Sequence, residues 1–381
     1  MRKILAYLKK ELMLSVSVAA AVAALIITPP TWELVKDIDW KTLATLFMML
    51  TVLEGFKQEN IFRPLLNFAG SIPSMAKLSL FLVFSVFFSS MFVTNDVSLI
   101  VFVPLTILLF RAGHKEKYIL PVISMENIAA VRGSMLMPFG SPQNLFIFGQ
   151  SGISAGKFIL HMMPLSAFSG ILLVCFVLFL YRKDESEALE LHGQAVTEDW
   201  KPERKKQRIS YLSLFVLILL TIVTRTKFWP VVTGIVLVTV FIVDRKLLTK
   251  TDYVLLLTFL CFFVFSSSIT ANQKVSAFLS SVVAGHEYLV SILLSQVISN
   301  VPASIVLYPF STNTAALLYG LDSAGLVSLI GSLASVINYR IYVREYPGKG
   351  WDFIKVFTFV SLCFFVIVVV PGYFLCRWHF G

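Results

Sequence analysis

The sequence predicts an all-α polytopic membrane protein made of two inverted repeats, each with a re-entrant hairpin followed by a broken helix. Three observations carry this reading. Of 381 residues, 57% are hydrophobic and only 14% are charged, against about 45–50% and about 25% in soluble domains. The basic residues gather at the ends of apolar runs, and two polar motifs stand at the centres of paired apolar runs. The apolar character extends along most of the chain (mean hydropathy +0.81). It therefore excludes a soluble enzyme with one anchor, a disordered chain and a coiled coil.

Taken in order, the apolar runs fall near 12–28, 42–56, 78–93, 97–110, 118–149, 157–181, 209–224, 228–244, 252–270, 286–298, 303–312, 314–343 and 354–376. At roughly 20 apolar residues per crossing, such a length holds about ten crossings. The first run follows Arg2, Lys3, Lys9 and Lys10 and contains an alanine cluster, as a signal peptide does. It is long enough to span and more runs follow, so it reads as an uncleaved first helix. The polar stretch 182–208, with Lys201, Arg204, Lys205 and Lys206, is the one sizeable linker. It separates an N-terminal repeat, 1–181, from a C-terminal repeat, 209–381.

The formal net charge is +10, from 32 basic and 22 acidic residues. No basic patch with interleaved aromatics stands apart from a span, so nucleic acid is not an expected partner. Positive loops stay cytoplasmic instead. With a cytoplasmic N-terminus, Lys57 and Arg63, the 182–208 linker, Arg245, Lys246 and Lys250, and Arg340, Arg344 and Lys349 all fall inside, provided that two pairs of runs do not cross. The first pair, 78–110, is flanked by Lys77 and by Arg111, Lys115 and Lys117, and centres on Thr94-Asn95-Asp96. It reads as a hairpin entering from inside. The second pair, 286–312, centres on Ser299-Asn300-Val301-Pro302 and opens outward. Two full spans are the alternative for each pair, but an Asn at the centre of a lipid-facing span is costly. The count is then about nine full crossings with the C-terminus outside.

Each hairpin precedes a run interrupted by Gly and Ser: 118–149, containing Gly133-Ser134 and Gly140-Ser141-Pro142-Gln143-Asn144, and 314–343, containing Gly325 and Gly331-Ser332. Paired broken helices in inverted repeats point to a secondary transporter with its site near the bilayer midplane. A break frees carbonyls on one side, which with Ser, Thr and Asn oxygens suit a small hard cation. The N-terminal end beyond the break attracts an anion. The cation-coupling candidates are Thr94, Asn95, Asp96, Ser299 and Asn300, a possible sodium site. The solute-binding candidates are Asn95, Asn300, Ser141, Asn144, Ser332 and Arg132. Each has a bland alternative. Asp96, Asn95 and Asn300 can cap the helix behind them, and Arg132 can pair with Glu126 or Asp96. Glu54 beside Lys57 is an interfacial residue or a proton relay, and the roles of Glu126 and Asp322 stay open.

The cysteines (Cys175, Cys261, Cys363, Cys376) form no C-x-x-C pair and read as packing residues. The histidines (His114, His161, His192, His286, His379) are scattered and no H-E-x-x-H occurs. With no nucleophile–base pair and no phosphate-binding loop, neither an intramembrane enzyme nor an ATP-driven pump is expected. No cofactor is expected beyond sodium or protons as coupling ion. A passive channel remains as a reading from another class.

The stretches 94–104, 126–144, 296–309 and 325–335 resemble the ion-transporter superfamily. It includes divalent-anion/sodium symporters, citrate carriers, arsenite permeases and one group of sodium/proton antiporters. The resemblance implies a scaffold domain, a transport domain holding both hairpins, an elevator-like movement, and often a homodimer. It also implies a place in a bacterial or archaeal plasma membrane. The symporters carry Ser-Asn-Thr at each tip. Here the first tip substitutes Asp96, and the second, with Val301, loses a hydroxyl. These tips are closer to the Asn-Asp and Asn-Val-Pro forms of the citrate-carrier-like and arsenite/antiporter branches. The implied function is secondary active transport of a small anionic solute, a carboxylate or inorganic oxyanion, coupled to sodium or protons. The alternatives within the superfamily are sodium/proton antiport and arsenite export.

Overall fold

A computed structural model describes residues 12–28, 32–61, 68–69, 72, 74–182 and 204–376, and among them every regular element is helical. Residues 183–203 of the linker lie outside the described residues, as do Arg2, Lys3, Lys9, Lys10, Arg63, His192 and His379.

The first half contains α1 (Leu12–Ile27), α2 (Trp32–Asp37), α3 (Trp40–Gln58), α4 (Met75–Val93), α5 (Asn95–Ala112), α6 (Ile119–Ser134), α7 (Pro142–Ser151) and α8 (Ala155–Tyr181). The second contains α9 (Lys205–Val223), α10 (Trp229–Asp244), α11 (Lys246–Lys250), α12 (Tyr253–Ala271), α13 (Gln273–Val283), α14 (Glu287–Ile298), α15 (Asn300–Leu307), α16 (Thr314–Ala324), α17 (Leu333–Glu345) and α18 (Gly350–Leu375). Local chemistry sets several starts. Asp39, Ser141, Ser154, Asp252, Asn272 and Asn313 each accept a backbone N–H from the first turn of the helix that they cap.

Six described helices are long and apolar enough to cross a membrane: α4, α5, α8, α9, α12 and α18. This count differs in kind from the expected nine crossings. Both arms of the first hairpin pass, with 19 and 18 residues, whereas the halves of the broken helices are each too short. The apolar α1 and α10 are shorter, and Lys41, Glu54 and Lys57 make α3 more polar than its neighbours. Three elements lie outside the apolar runs: the short α2 and α11, and the longer α13. α13 is an amphipathic, largely exposed helix that bends by 113° into α14. Its lysine, glutamine and serines break up the apolar run by which the other helices are recognised.

The helices gather into two groups. α3 packs with α9, α10 and α11, and α12 packs with α1 and also bridges to α15 of the second group, where Ser266 donates to the Ile305 carbonyl. The second group holds α4–α8 and α14–α18. Within it the same order occurs twice: two helices joined by a single residue, then a helix interrupted by a break. Thr94 joins α4 to α5 with φ 71°, ψ 156°, and Ser299 joins α14 to α15 with φ 69°, ψ 158°. Both lie in a backbone region occupied almost only by glycine. Beyond the breaks, Ser141 (φ −147°, ψ 154°) and Ser332 (φ −148°, ψ 140°) also match. The first arm of each hairpin packs on the first half of its own broken helix (α4 on α6, α14 on α16). The second arm packs on the second half of the other one (α5 on α17, α15 on α7).

Two glycines allow the close approaches within this group, as small residues do between membrane helices. A Cβ at Gly133 would stand 1.9 Å from the Phe87 carbonyl oxygen of α4, and one at Gly320 would stand 2.5 Å from that of Tyr288 of α14. The second hairpin is also closed at its base. The buried Glu287, at the start of α14, accepts the N–H groups of Thr312 and Asn313 and the Thr312 hydroxyl at 2.8–3.1 Å.

Candidate functional site

The two tips have the same backbone but different surroundings. Asn95 is buried, and its Oδ1 accepts the N–H of Asp96 at 2.9 Å. This is a bond between neighbours in the first turn of α5, whose N-cap position is Thr94. Asp96 caps nothing: its Oδ1 is buried and has no hydrogen-bond partner. The carboxylate stands at the edge of a cavity of about 400 Å³ between the two helix groups. Thr94, Asp96, Ser141 and Pro142 form one wall, and Glu54, Lys57, Lys250 and Asp252 add charge to the other. Lys57 is ion-paired with Glu54 on α3, and Asp252 accepts the Leu255 N–H at 3.0 Å as the cap of α12. Lys250 stands two residues before that cap. The cavity thus combines both signs of charge with the start of α7, where helix N–H groups favour an anion.

The second tip is enclosed in protein. Ser299 and Asn300 are buried, and the Asn300 N–H donates to the Gly331 carbonyl at 3.2 Å, in the second break. Its Nδ2 reaches the Leu321 carbonyl at 3.5 Å. Gln296, in the last turn of α14, holds the same break. It donates to the Ala324 carbonyl at 3.2 Å and accepts the Ser328 hydroxyl at 2.6 Å.

Behind the first turn of α7 lies a fully buried polar cluster that joins the two broken helices. Gln143 Nε2 donates to Asp322 Oδ1 at 3.0 Å, and Arg132 Nη2 donates to Ser323 Oγ at 3.3 Å. Arg132 forms no ion pair among the described residues, so it pairs with neither Glu126 nor Asp96. Five polar atoms here are buried without a hydrogen-bond partner: Arg132 Nε, Gln143 Oε1, Asp322 Oδ2, and both Oδ1 and Nδ2 of Asn144. Native interiors leave few such atoms, and they collect where a ligand, ion or water completes the set. The Asn144 N–H donates to Ser141 Oγ at 3.4 Å. Ser141 and Pro142 face the cavity, while Gln143 and Asn144 approach Asp322 in the cluster.

Two further groups complete the interior. Thr106 Oγ1 donates to Glu126 Oε1 at 2.5 Å, and the other oxygen of this buried carboxylate has no partner. Asn127 Nδ2 donates to Ser335 Oγ at 3.0 Å. Ser332 begins α17 without a side-chain cap bond. The fold therefore places Thr94, Asp96 and Ser141 on one cavity, Arg132 and Asn144 in the cluster behind it, and Ser299, Asn300 and Ser332 around the second break. Sequence reasoning missed Gln143, Ser323, Lys250 and Asp252 as partners. Gln143 stood inside the quoted break motif, and Lys250 was read only as a cytoplasmic flank.

A family model described as Citrate transporter, CitMHS, matches residues 4–337 of this chain. The chain belongs to the CitMHS citrate transporter family. It is therefore a membrane transporter and not an enzyme, and it fits the ion-transporter superfamily that its motifs resemble. Inner membrane protein YbiR of Escherichia coli strain K12 is 32% identical over 317 residues, covering 82% of each chain. An uncharacterized transporter of Methanocaldococcus jannaschii is 30% identical over 312 residues, covering 81% of this chain and 83% of its own. Among solved structures, the YdaH transporter of Alcanivorax borkumensis aligns with a TM-score of 0.55. The alignment covers 91% of this chain and 87% of that one at 15% identity, a likeness of fold.

Proposed function

We propose that this CitMHS transporter is a secondary active carrier of a small anionic solute, a carboxylate or inorganic oxyanion, coupled to sodium or protons. The observation that carries this reading is the Asp96 carboxylate. It sits at a hairpin tip with an unpartnered buried oxygen, on a cavity that also holds Lys57, Lys250 and the start of α7. An ionisable residue in such a place binds a cation, takes up a proton or both, and the lysines and helix N-terminus offer the opposite charge to an anion. Thr94, Asn95, Asp96, Ser299 and Asn300 form the coupling set; Asn95, Asn300, Ser141, Asn144, Ser332 and Arg132 form the solute set. The matched tip conformations support inverted repeats with opposed re-entrant hairpins. The cavity between the two helix groups supports an elevator movement of one group against the other. By family resemblance the carrier works as a homodimer in a bacterial or archaeal plasma membrane, and the positive loops argue for a cytoplasmic N-terminus.

The three carboxylates on the cavity, Glu54, Asp96 and Asp252, favour a second reading in which the protein exchanges sodium for protons. Proteoliposomes with imposed sodium or proton gradients separate the two. Accumulation of citrate, another carboxylate, sulfate, phosphate or arsenite that collapses when one gradient is removed supports the first. Sodium-dependent proton movement with no added solute supports the second, and solute flux indifferent to both gradients refutes coupling. Single cysteines at Ser186 and Gly381 test the topology: labelling from the same side refutes the inverted arrangement.

A further inference from the structure

Away from the transport cavity, two other cavities meet where α6 and α18 begin. The first, about 420 Å³, is lined by Lys117, Lys349 and Lys355, with Glu116 and Asp352 as its acidic members and Tyr346 beside them. The second, about 760 Å³, is an apolar groove walled by Pro121, Leu172, Phe176, Phe179, Phe359 and Cys363 of α6, α8 and α18. Val356 lines both, so the groove continues directly from the charged cavity. Arg182, just beyond α8, stands at the rim of the groove with its guanidinium 4.1 Å from the Phe179 ring centroid. Lys349 and Lys117 lie against the rings of Tyr346 and Tyr118, 5.5 Å and 4.8 Å from their centroids, and Lys355 is exposed.

We propose that this continuous surface is a binding site for one anionic phospholipid, its phosphate among Lys117, Lys349, Lys355 and Arg182 and its acyl chains along the groove. Two features select this occupant. Among the described residues that line the two cavities, four cations stand against two carboxylates, and basic pockets between membrane helices hold anionic headgroups. The groove that leads away from the rim is apolar and open, which suits acyl chains and offers nothing to a free anion. A second copy of the chain, related by an axis along the membrane normal, would bring the same lysines face to face, which like-charge repulsion opposes. The inference is independent of the transported solute.

The test uses the purified full chain in neutral detergent, titrated with phosphatidylglycerol or phosphatidylcholine and followed by thermal unfolding and native mass spectrometry. A ligand that binds only the folded state raises its melting temperature, so phosphatidylglycerol is expected to stabilise the wild type more than phosphatidylcholine does. Each lysine near an anionic headgroup is worth roughly fivefold in affinity. The K349E/K355E variant is expected to bind phosphatidylglycerol at least about twenty-five-fold more weakly, whereas K349R/K355R keeps the preference. Cys363→Trp fills the groove and weakens binding with the charges intact. Equal stabilisation by both lipids, or an unchanged preference in K349E/K355E, overturns the proposal. Stabilisation by inorganic phosphate alone assigns the cavity to a free anion and also overturns it. So does crosslinking of two copies through Cys363.

Discussion

The two hairpin tips share a backbone conformation to within a few degrees and differ in almost everything else. Thr94 and Asp96 look onto a cavity, whereas Ser299 and Asn300 are enclosed and Asn300 donates to carbonyls around the second break. The conformation at the joining residue is thus a requirement of turning the chain back between two helices. The side chains around it decide whether the turn is wet or sealed. A tip facing a cavity can exchange its partner during a transport cycle. A tip bonded to its neighbour moves only with that neighbour.

This contrast can be broken first at the glycines beneath each tip. A methyl at Gly133 collides with backbone at 1.9 Å, and one at Gly320 at 2.5 Å. Gly133→Ala is expected to abolish folded yield, a cost above about 4 kcal/mol, and Gly320→Ala to leave a reduced but measurable folded fraction. Fluorescence-detected size exclusion compares them, and equal yields would mean that the two crossings are not differently tight.

The two acidic residues come next. Asp96→Asn is expected to abolish gradient-driven accumulation and its ion dependence, retain slow downhill exchange and leave the melting temperature unchanged. Asp322→Asn is expected to lower both transport and melting temperature, because it removes the negative charge that acts on the buried Arg132 and alters the group to which Gln143 donates. Wild-type-like accumulation by Asp96→Asn would leave Asp96 without a coupling role.

The asparagines give a smaller effect. Asn95→Ala and Asn300→Ala each remove about one hydrogen bond, worth about 1 kcal/mol. Folded yield should survive while ion or solute affinity falls by about fivefold, read from substrate titrations in liposomes. Unchanged affinity in one of them would identify that tip as a cap alone. The smallest change sharpens the likeness of the tips. Thr94→Gly and Ser299→Gly should each stabilise by about 1 kcal/mol, since glycine occupies that backbone region without strain. Opposite signs for the two would contradict the shared conformation.

Much of this arrangement is legible in the amino-acid sequence. Gly, Ser and Pro mark the breaks at 135–141 and 325–332 because they are the residues that interrupt helices. Asn95 and Asn300 stand out because polar groups at the centre of apolar runs need an explanation. What stayed hidden has a common cause. Gln143 and Asp322 are 179 residues apart and Thr106 and Glu126 are 20 apart, and no local periodicity records which distant side chains will meet. α13 escaped notice for another reason: a helix lying at an angle to its neighbours needs only one apolar edge, so it lacks the continuous run by which spans are found.

The exchange of partners between the halves bears on how the protein is made. α5 packs on α17 and α15 packs on α7, so two elements of the first half wait for surfaces synthesised much later. Translation at about 5–20 residues per second leaves α5 and α7 in the membrane for roughly ten seconds or more before α17 has emerged. For most of that interval Gln143 has no Asp322 to donate to, and throughout it α5 has no α17 to pack on. Assembly is therefore completed after insertion, and truncation before residue 333 leaves α5 without α17.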